Sequence, residues 1–342
     1  MLSSLRKLYQ KGGQLPLLQP IKPLIYGLFW AWHSIRHRFD RSPRLCVYYR
    51  HPWYGRRAQV LVEYFNSQNI PAELVEHRGL YSKASYATSS KLWLGFYEDF
   101  PLDVLPRKFI LYNGEPLAAE KWRNRSDLQG VLPHLLEFWG FTEECEKVVS
   151  PSGVSVRYVP FGYADQLINP HLKDRKGPNV NEDIDLLFYG TVTPRRKPLL
   201  NRLRDAGFKL KVLEWPRDQY GKDLDATLRR SKIVLYLHGH EERDAQITDF
   251  ARIDYLLANR RFLLHETPHA DADHRGFKEN VPTCDYDDFV DTCRLFLDSP
   301  KERHQWTERA DIWYRENYHL DNFIPAEKLR KWVNSTGSNG RN

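Results

Sequence analysis

The sequence predicts an α/β protein of two Rossmann-like units that face each other across a cleft. Three observations carry this expectation. The chain has 342 residues, which suits about two domains of ordinary size. Short apolar runs alternate with helical periodicities in both halves, the pattern of parallel strands joined by crossover helices. A polar stretch at 170–179, containing Pro170, Gly177 and Pro178, interrupts that pattern and reads as a linker. The units then span 45–165 and 184–320. A segment at 1–44 precedes them, and a helix and disordered tail at 321–342 follow.

Residues 1–44 are apolar and aromatic among Lys, Arg and His. Their apolar run, 23–32, is about ten residues, half of the ~20 that a membrane span needs. No small-residue cleavage site follows it, so it does not read as a signal peptide. It suits either a helix packed on its own domain or one lying on an anionic membrane surface. The first strand is 45–49. A loop at 50–57 and a helix at 58–65 follow, the latter with Val60, Leu61 and Tyr64 on one face. Apolar runs at 72–75, 92–96, 109–112, 148–149 and 156–159 read as further strands, and 131–139 as a helix.

The second half restarts with a strand at 184–189 that ends at Gly190. A helix at 194–206 begins with Pro194 and stops at Gly207, the usual punctuation. Strands at 210–213, 233–237 and 262–264 alternate with helices at 223–230 and 248–259, the last capped by Thr248. Helices at 287–297 and 301–316 close the unit. The tail 335–342 reads as disordered.

Composition narrows the class. Hydrophobic residues form 41% and charged residues 28%, a globular balance that excludes a disordered chain. The net charge of +7 leaves three partners open: nucleic acid, an anionic membrane, or a phosphate-bearing substrate. Cys46, Cys145, Cys284 and Cys293 form no CxxC pair and read as free thiols of a reducing cytosol.

In doubly wound sheets, ligands bind at the carboxyl ends of the strands. Four places there carry candidate chemistry. At Gly190-Thr191-Val192-Thr193-Pro194-Arg195-Arg196-Lys197, a strand ends in Gly and a helix starts beside three cations. Cations oppose the dipole at a helix start unless an anion sits there, so this reads as a phosphate site. It is neither a Walker loop nor GxGxxG. On the helix 248–259, Asp254 falls on the apolar stripe of Phe250, Ile253 and Leu257. A carboxylate there needs a partner, such as a ribose diol or a buried Arg. Asp249 and Arg252 share another face. The loop His238-Gly239-His240 and the stretch 269–274 (His269, His274) raise a metal, but further regularly spaced ligands are lacking. In the first half, His51 with Gly55, Arg56 and Arg57 follows strand one, and Glu115 follows another strand. Either His51 or Glu115 suits a general base, ahead of Glu98 and Asp99.

From residue 184 onward the chain resembles bacterial glycosyltransferases of the GT-B type, in the spore-maturation-like branch of the group 1 superfamily. The resemblance rests on Phe188-Tyr189-Gly190-Thr191 with Pro194-Arg195-Arg196, then on Ser231 to His238, on Ala251 to Asn259 and on Phe262 to Glu266. It also includes Tyr286-Asp287-Asp288-Phe289 and the lead-in Arg157-Tyr158-Val159-Pro160-Phe161-Gly162. The first 150 residues share only the general architecture. The resemblance implies a nucleotide-sugar donor held by Gly190, Thr191, Arg195, Arg196, Lys197, His238, Asp249, Arg252, Asp254 and Glu266, with Asp254 on the ribose. It implies metal-independent transfer to a glycan or lipid-linked acceptor, with no cofactor and a role in polysaccharide biosynthesis. Placement would be cytoplasmic and peripheral on the membrane. The family commonly has Glu where Asp254 stands, and Gln246 falls where the retaining branch has the first of two Glu. The stereochemistry therefore stays open. Two alternatives remain. One is a non-catalytic nucleotide-sugar-binding protein. The other is a basic nucleic-acid binder, disfavoured because acidic residues are spread throughout and no RNA- or DNA-binding motif occurs.

Overall fold

The computed structural model describes residues 42–76, 91–97, 106, 108–117, 126–173, 182–214, 222–241, 246, 248, 250–268 and 275–338. The expectations for 1–41, 98–99, 249 and 269–274 lie outside them.

The first unit carries strands β1 (Leu45–Tyr49), β2 (Ala72–Glu76), β3 (Leu92–Phe96), β4 (Phe109–Asn113), β5 (Glu137–Gly140) and β6 (Val156–Tyr158). They form one parallel sheet in the order β2-β1-β3-β4-β5-β6. Helices α1 (Pro52–Ser67), α2 (Ser126–Val131) and α3 (Glu144–Val149) connect them. Alternation along β1 serves both faces. Leu45 and Val47 enter the core on one side of the sheet, and Cys46 and Tyr48 enter the core on the other.

The second unit follows the short helix α4 (Pro170–Lys173). Its strands β7 (Ile184–Gly190), β8 (Leu210–Glu214), β9 (Ser231–Tyr236), β10 (Leu263–Glu266) and β11 (Thr283–Cys284) are parallel, in the order β11-β10-β9-β7-β8. Helices α5 (Arg196–Asp205), α6 (Lys222–Arg230), α7 (Phe250–Ala258), α8 (Phe277–Asn280), α9 (Phe289–Asp298) and α10 (Pro300–Tyr318) complete it. Both sheets share the doubly wound logic, with strand order reversing beside the first strand. The switch points fall between β1 and β3 and between β7 and β9.

The expected fold class is the observed one, with four corrections. The segment at 50–57 is no loop. Pro52 sits at the first turn of α1, where its missing N–H costs nothing, so the helix takes in Arg56 and Arg57. The run at 131–139 is not a helix but the end of α2, a tight turn around Pro133 and strand β5. Val148 and Val149 end helix α3 instead of forming a strand; their periodicity joins Cys145 on a buried helical face. Ser335 to Ser338 belong to helix α11 (Ala326–Ser338), anchored by buried Leu329 and Val333.

The chain crosses between the units twice, at adjacent places. Tyr163 N–H donates to Tyr318 O at 2.6 Å, and Leu320 N–H donates to Tyr163 O at 2.9 Å. Gly162 permits this approach, because a Cβ there would stand 2.3 Å from Tyr318 O. After the second crossing, α11 returns to the first unit. Lys328 Nζ lies 2.9 Å from Glu137 Oε1. That carboxylate is fully buried and also receives Trp139 Nε1 at 2.8 Å and Arg157 Nη2 at 2.9 Å. Burial alone would raise its pKa, but these hydrogen bonds prevail and hold it below the usual value.

All four cysteines are buried and unbridged. Burial pushes the Cys284 thiol up to about 12.

Candidate functional site

The carboxyl ends of β7, β9 and β10 form a cross-braced rim. Arg195 pairs with buried Glu266 through both terminal nitrogens, one at 2.9 Å, and donates to His238 O at 3.0 Å. The Glu266 hydrogen bond holds the Arg195 guanidinium protonated above its already high range. The same carboxylate accepts the His238 backbone N–H at 2.8 Å. Arg196 is buried and donates to Leu237 O, from Nε at 3.0 Å and from Nη2 at 2.7 Å. It also donates to Thr191 O at 2.8 Å. Two arginines and one glutamate thus tie three strand ends together.

A third arginine at the β7/β9 switch point is Arg252 of α7. Its guanidinium lies 4.6 Å over the Tyr236 ring, with Tyr189 O at 3.4 Å and Leu237 O at 3.5 Å. Gly190, at φ +140°, makes room for it: a Cβ there would stand 2.7 Å from Arg252 Nη1. Asp254, two residues further along α7, is 5% exposed and lies 3.4 Å from Arg57 Nη1, an ion pair between the two units. The buried Arg anticipated as its partner is therefore Arg57.

Arg56 makes a second bridge. It stands 3.6 Å over the Tyr255 ring and 3.5 Å from Asp225. Asp225 accepts the Tyr255 hydroxyl at 2.8 Å and the Asn169 amide at 2.9 Å. Burial pushes the Tyr255 phenol up to about 12, with Arg56 pulling the other way. Arg56 and Tyr255 line a cleft with Trp53, Arg57, Tyr189, Arg252 and Asp254.

Not every expected residue gathers here. Lys197 is exposed and lines a separate hollow with Asn201, Arg204 and Glu214. The Thr191 side chain is exposed at the rim, and His238 is buried with Nε2 3.2 Å from Thr267 O. His51 opens α1, its ring stacked on Trp53 at 4.1 Å. Glu115 is half-buried after β4, where its N–H donates to Asn113 Oδ1 at 3.1 Å. Neither lines the cleft in this structure. Thr248 Oγ1 is buried without a hydrogen-bond partner among the described residues, so no cap is seen there. Among the described residues no group of three His, Cys, Asp or Glu could hold a metal ion, and no helix is long and apolar enough to cross a membrane.

Sequence reasoning missed the part played by Arg56 and Arg57. Pro52 was the available signal: a helix starting there puts both arginines on its early turns, at the carboxyl end of β1.

No protein-family model matches the chain. A curated relative, the uncharacterized protein L140 of Acanthamoeba polyphaga mimivirus, is 24% identical over 204 residues, 59% of this chain. The match spans 64% of that relative's length. Among solved structures, Anabaena HepE in complex with UDP and glucose superposes with a TM-score of 0.54 at 8% identity. That match covers 86% of this chain and 99% of HepE. AviGT4, a glycosyltransferase involved in avilamycin A biosynthesis, gives 0.51 at 9% identity, over 87% and 98% of the two chains. At these identities the likeness is one of fold. The chain has the GT-B architecture of two facing Rossmann-like units.

Proposed function

We propose that the chain is a glycosyltransferase that moves a sugar from a nucleotide-sugar donor to a hydroxyl of a glycan or lipid-linked acceptor. One observation carries the reading. The cleft between the units is lined by Arg56, Arg57 and Arg252, with Asp254 between them and Trp53, Tyr189 and Tyr255 around them. Such a lining suits a ligand that is anionic at one end and rich in hydroxyls at the other. The UDP and UDP-glucose complexes of HepE support the same ligand class.

Transfer requires negative charge to be stabilised on the departing diphosphate. Arg252 and the N–H groups after Gly190 meet that charge from the second unit, and Arg56 from the first. These guanidiniums supply what a metal ion would otherwise supply, which supports metal-independent transfer. Arg195, Arg196 and Glu266 act a step back by fixing the loops that carry Thr191 and His238. Asp254 takes ribose hydroxyls. His51 or Glu115, at the carboxyl edge of the first sheet, takes the acceptor proton once the cleft is filled. The basic, aromatic segment 1–44 brings the protein to the cytoplasmic face of an anionic membrane, where a lipid-linked acceptor of polysaccharide assembly resides.

The test is release of nucleoside diphosphate from a panel of nucleotide sugars. Release from one donor, lost in Arg252→Ala, is expected. No release from any donor, or full release by the variant, contradicts the proposal.

A further inference from the structure

The guanidinium carbon of Arg56 stands 3.6 Å from the centre of the Tyr255 ring, the spacing of a stacked pair. Nη2 of the same group lies 3.5 Å from Asp225 Oδ1. A planar set of adjacent N–H donors from the first unit thus sits on an aromatic face of the second, with a carboxylate at its edge. The receiving groups are firmly held. Tyr255 Oη donates to Asp225 Oδ1 at 2.8 Å. Asn169 Nδ2 donates to Asp225 Oδ2 at 2.9 Å and to Tyr255 Oη at 2.8 Å, and the Asn169 N–H donates to buried Asn259 Oδ1 at 2.6 Å. Tyr255 is 7% exposed. The Arg56 side chain is 29% exposed, and its contact with Asp225 is longer than an ordinary hydrogen bond. Trp53, Leu167 and Leu224 add apolar surface to the same cleft lining.

One nucleobase repeats this donor pattern. Guanine carries adjacent N1–H and N2–H groups on one edge of a planar ring, a guanidine built into a base. Uracil presents a single N–H between two carbonyls, and adenine and cytosine present an amine beside a ring acceptor. Each of these would set a lone pair against the Asp225 carboxylate, where guanine offers a two-pronged match. We propose that Tyr255 and Asp225 form a guanine site, in which the base stacks on Tyr255 and gives its N1–H and N2–H to Asp225. Arg56 holds that place until the base arrives and then turns to the diphosphate. The site presupposes the glycosyltransferase reading and narrows its donor to a guanosine diphosphate sugar.

Calorimetry on the full chain tests the site with guanosine, inosine, xanthosine, uridine, cytidine and adenosine diphosphates. The unmodified protein should bind guanosine diphosphate roughly tenfold tighter than the inosine form, which lacks the 2-amino group. The uridine, cytidine and adenosine forms should bind more weakly still. Asp225→Asn exchanges one acceptor for a donor and so matches xanthine, which has a carbonyl in place of that amino group. Xanthosine diphosphate should overtake the guanosine form in this variant, a gain that a misfolded protein would not show. Should the unmodified protein not rank guanosine diphosphate first, or should the xanthosine form not overtake it in folded Asp225→Asn, the guanine site is overturned and the glycosyltransferase reading stands. Failure of the unmodified protein to bind any of the nucleotides overturns that reading and the guanine site together.

Discussion

The two carboxyl rims that face the cleft are built differently. On the second sheet, Arg195, Arg196 and Glu266 give their polar atoms to backbone groups and to one another, so three strand ends are braced before any ligand arrives. On the first sheet, Arg56 and Arg57 reach across the cleft to Asp225, Tyr255 and Asp254. One rim is preorganised by internal pairing. The other is organised by contact with the opposite unit. A basic cluster in a sequence can thus be spent on architecture, as Arg195 and Arg196 are here.

The contrast can be broken by substitution, with effects graded by burial. Arg196→Ala removes three donations to carbonyls of the braced rim and should cost about 3 kcal/mol in a denaturant titration. A loss near zero would mean the brace is dispensable. Glu137→Gln, far from both rims, should cost about 2 kcal/mol at neutral pH while nucleotide affinity stays unchanged. Its pH dependence has a definite sign. The folded pKa lies below the usual value near 4.5. Stability from Glu137 is therefore fully present above that value and is lost as pH falls through the folded pKa. The gap between unmodified protein and variant should close on acidification, and a gap that widens would refute the assignment.

Gly190→Ala sharpens the comparison, because its Cβ would press on Arg252 Nη1. A stability loss of about 1–2 kcal/mol is expected, with a proportionally larger loss of nucleotide affinity seen by calorimetry. Lys197→Ala marks the lower end. The side chain is exposed and outside the cleft, so stability should move by less than about 0.5 kcal/mol and affinity not at all. A marked drop in affinity would return Lys197 to the site.

Much of the fold was legible because strands here are buried on both faces and read as continuous apolar runs. β1 at 45–49 and β3 at 92–96 are of this kind, and Ile184 opens another. The run at 131–139 misled because Val131, Leu132, Leu135 and Phe138 have helical spacing, while Pro133 and the needs of the sheet broke it into three pieces. The site was legible as a location: Gly190, Arg252 and Asp254 stand at the switch point that strand order predicts. The division of labour was not. Whether a guanidinium faces a carbonyl, a carboxylate or a ligand depends on tertiary partners. Arg57 and Asp254, 197 positions apart in sequence, meet only after both units have folded.

The central claim is that the cleft binds the nucleotide part of a sugar donor and that Arg252 holds its phosphates. Calorimetric titration of uridine, guanosine and adenosine diphosphates into the unmodified protein and into Arg252→Ala tests it most directly. The account predicts one-to-one binding of at least one nucleotide, weakened roughly tenfold or more in the variant. Binding of none, or equal binding by both proteins, would contradict it.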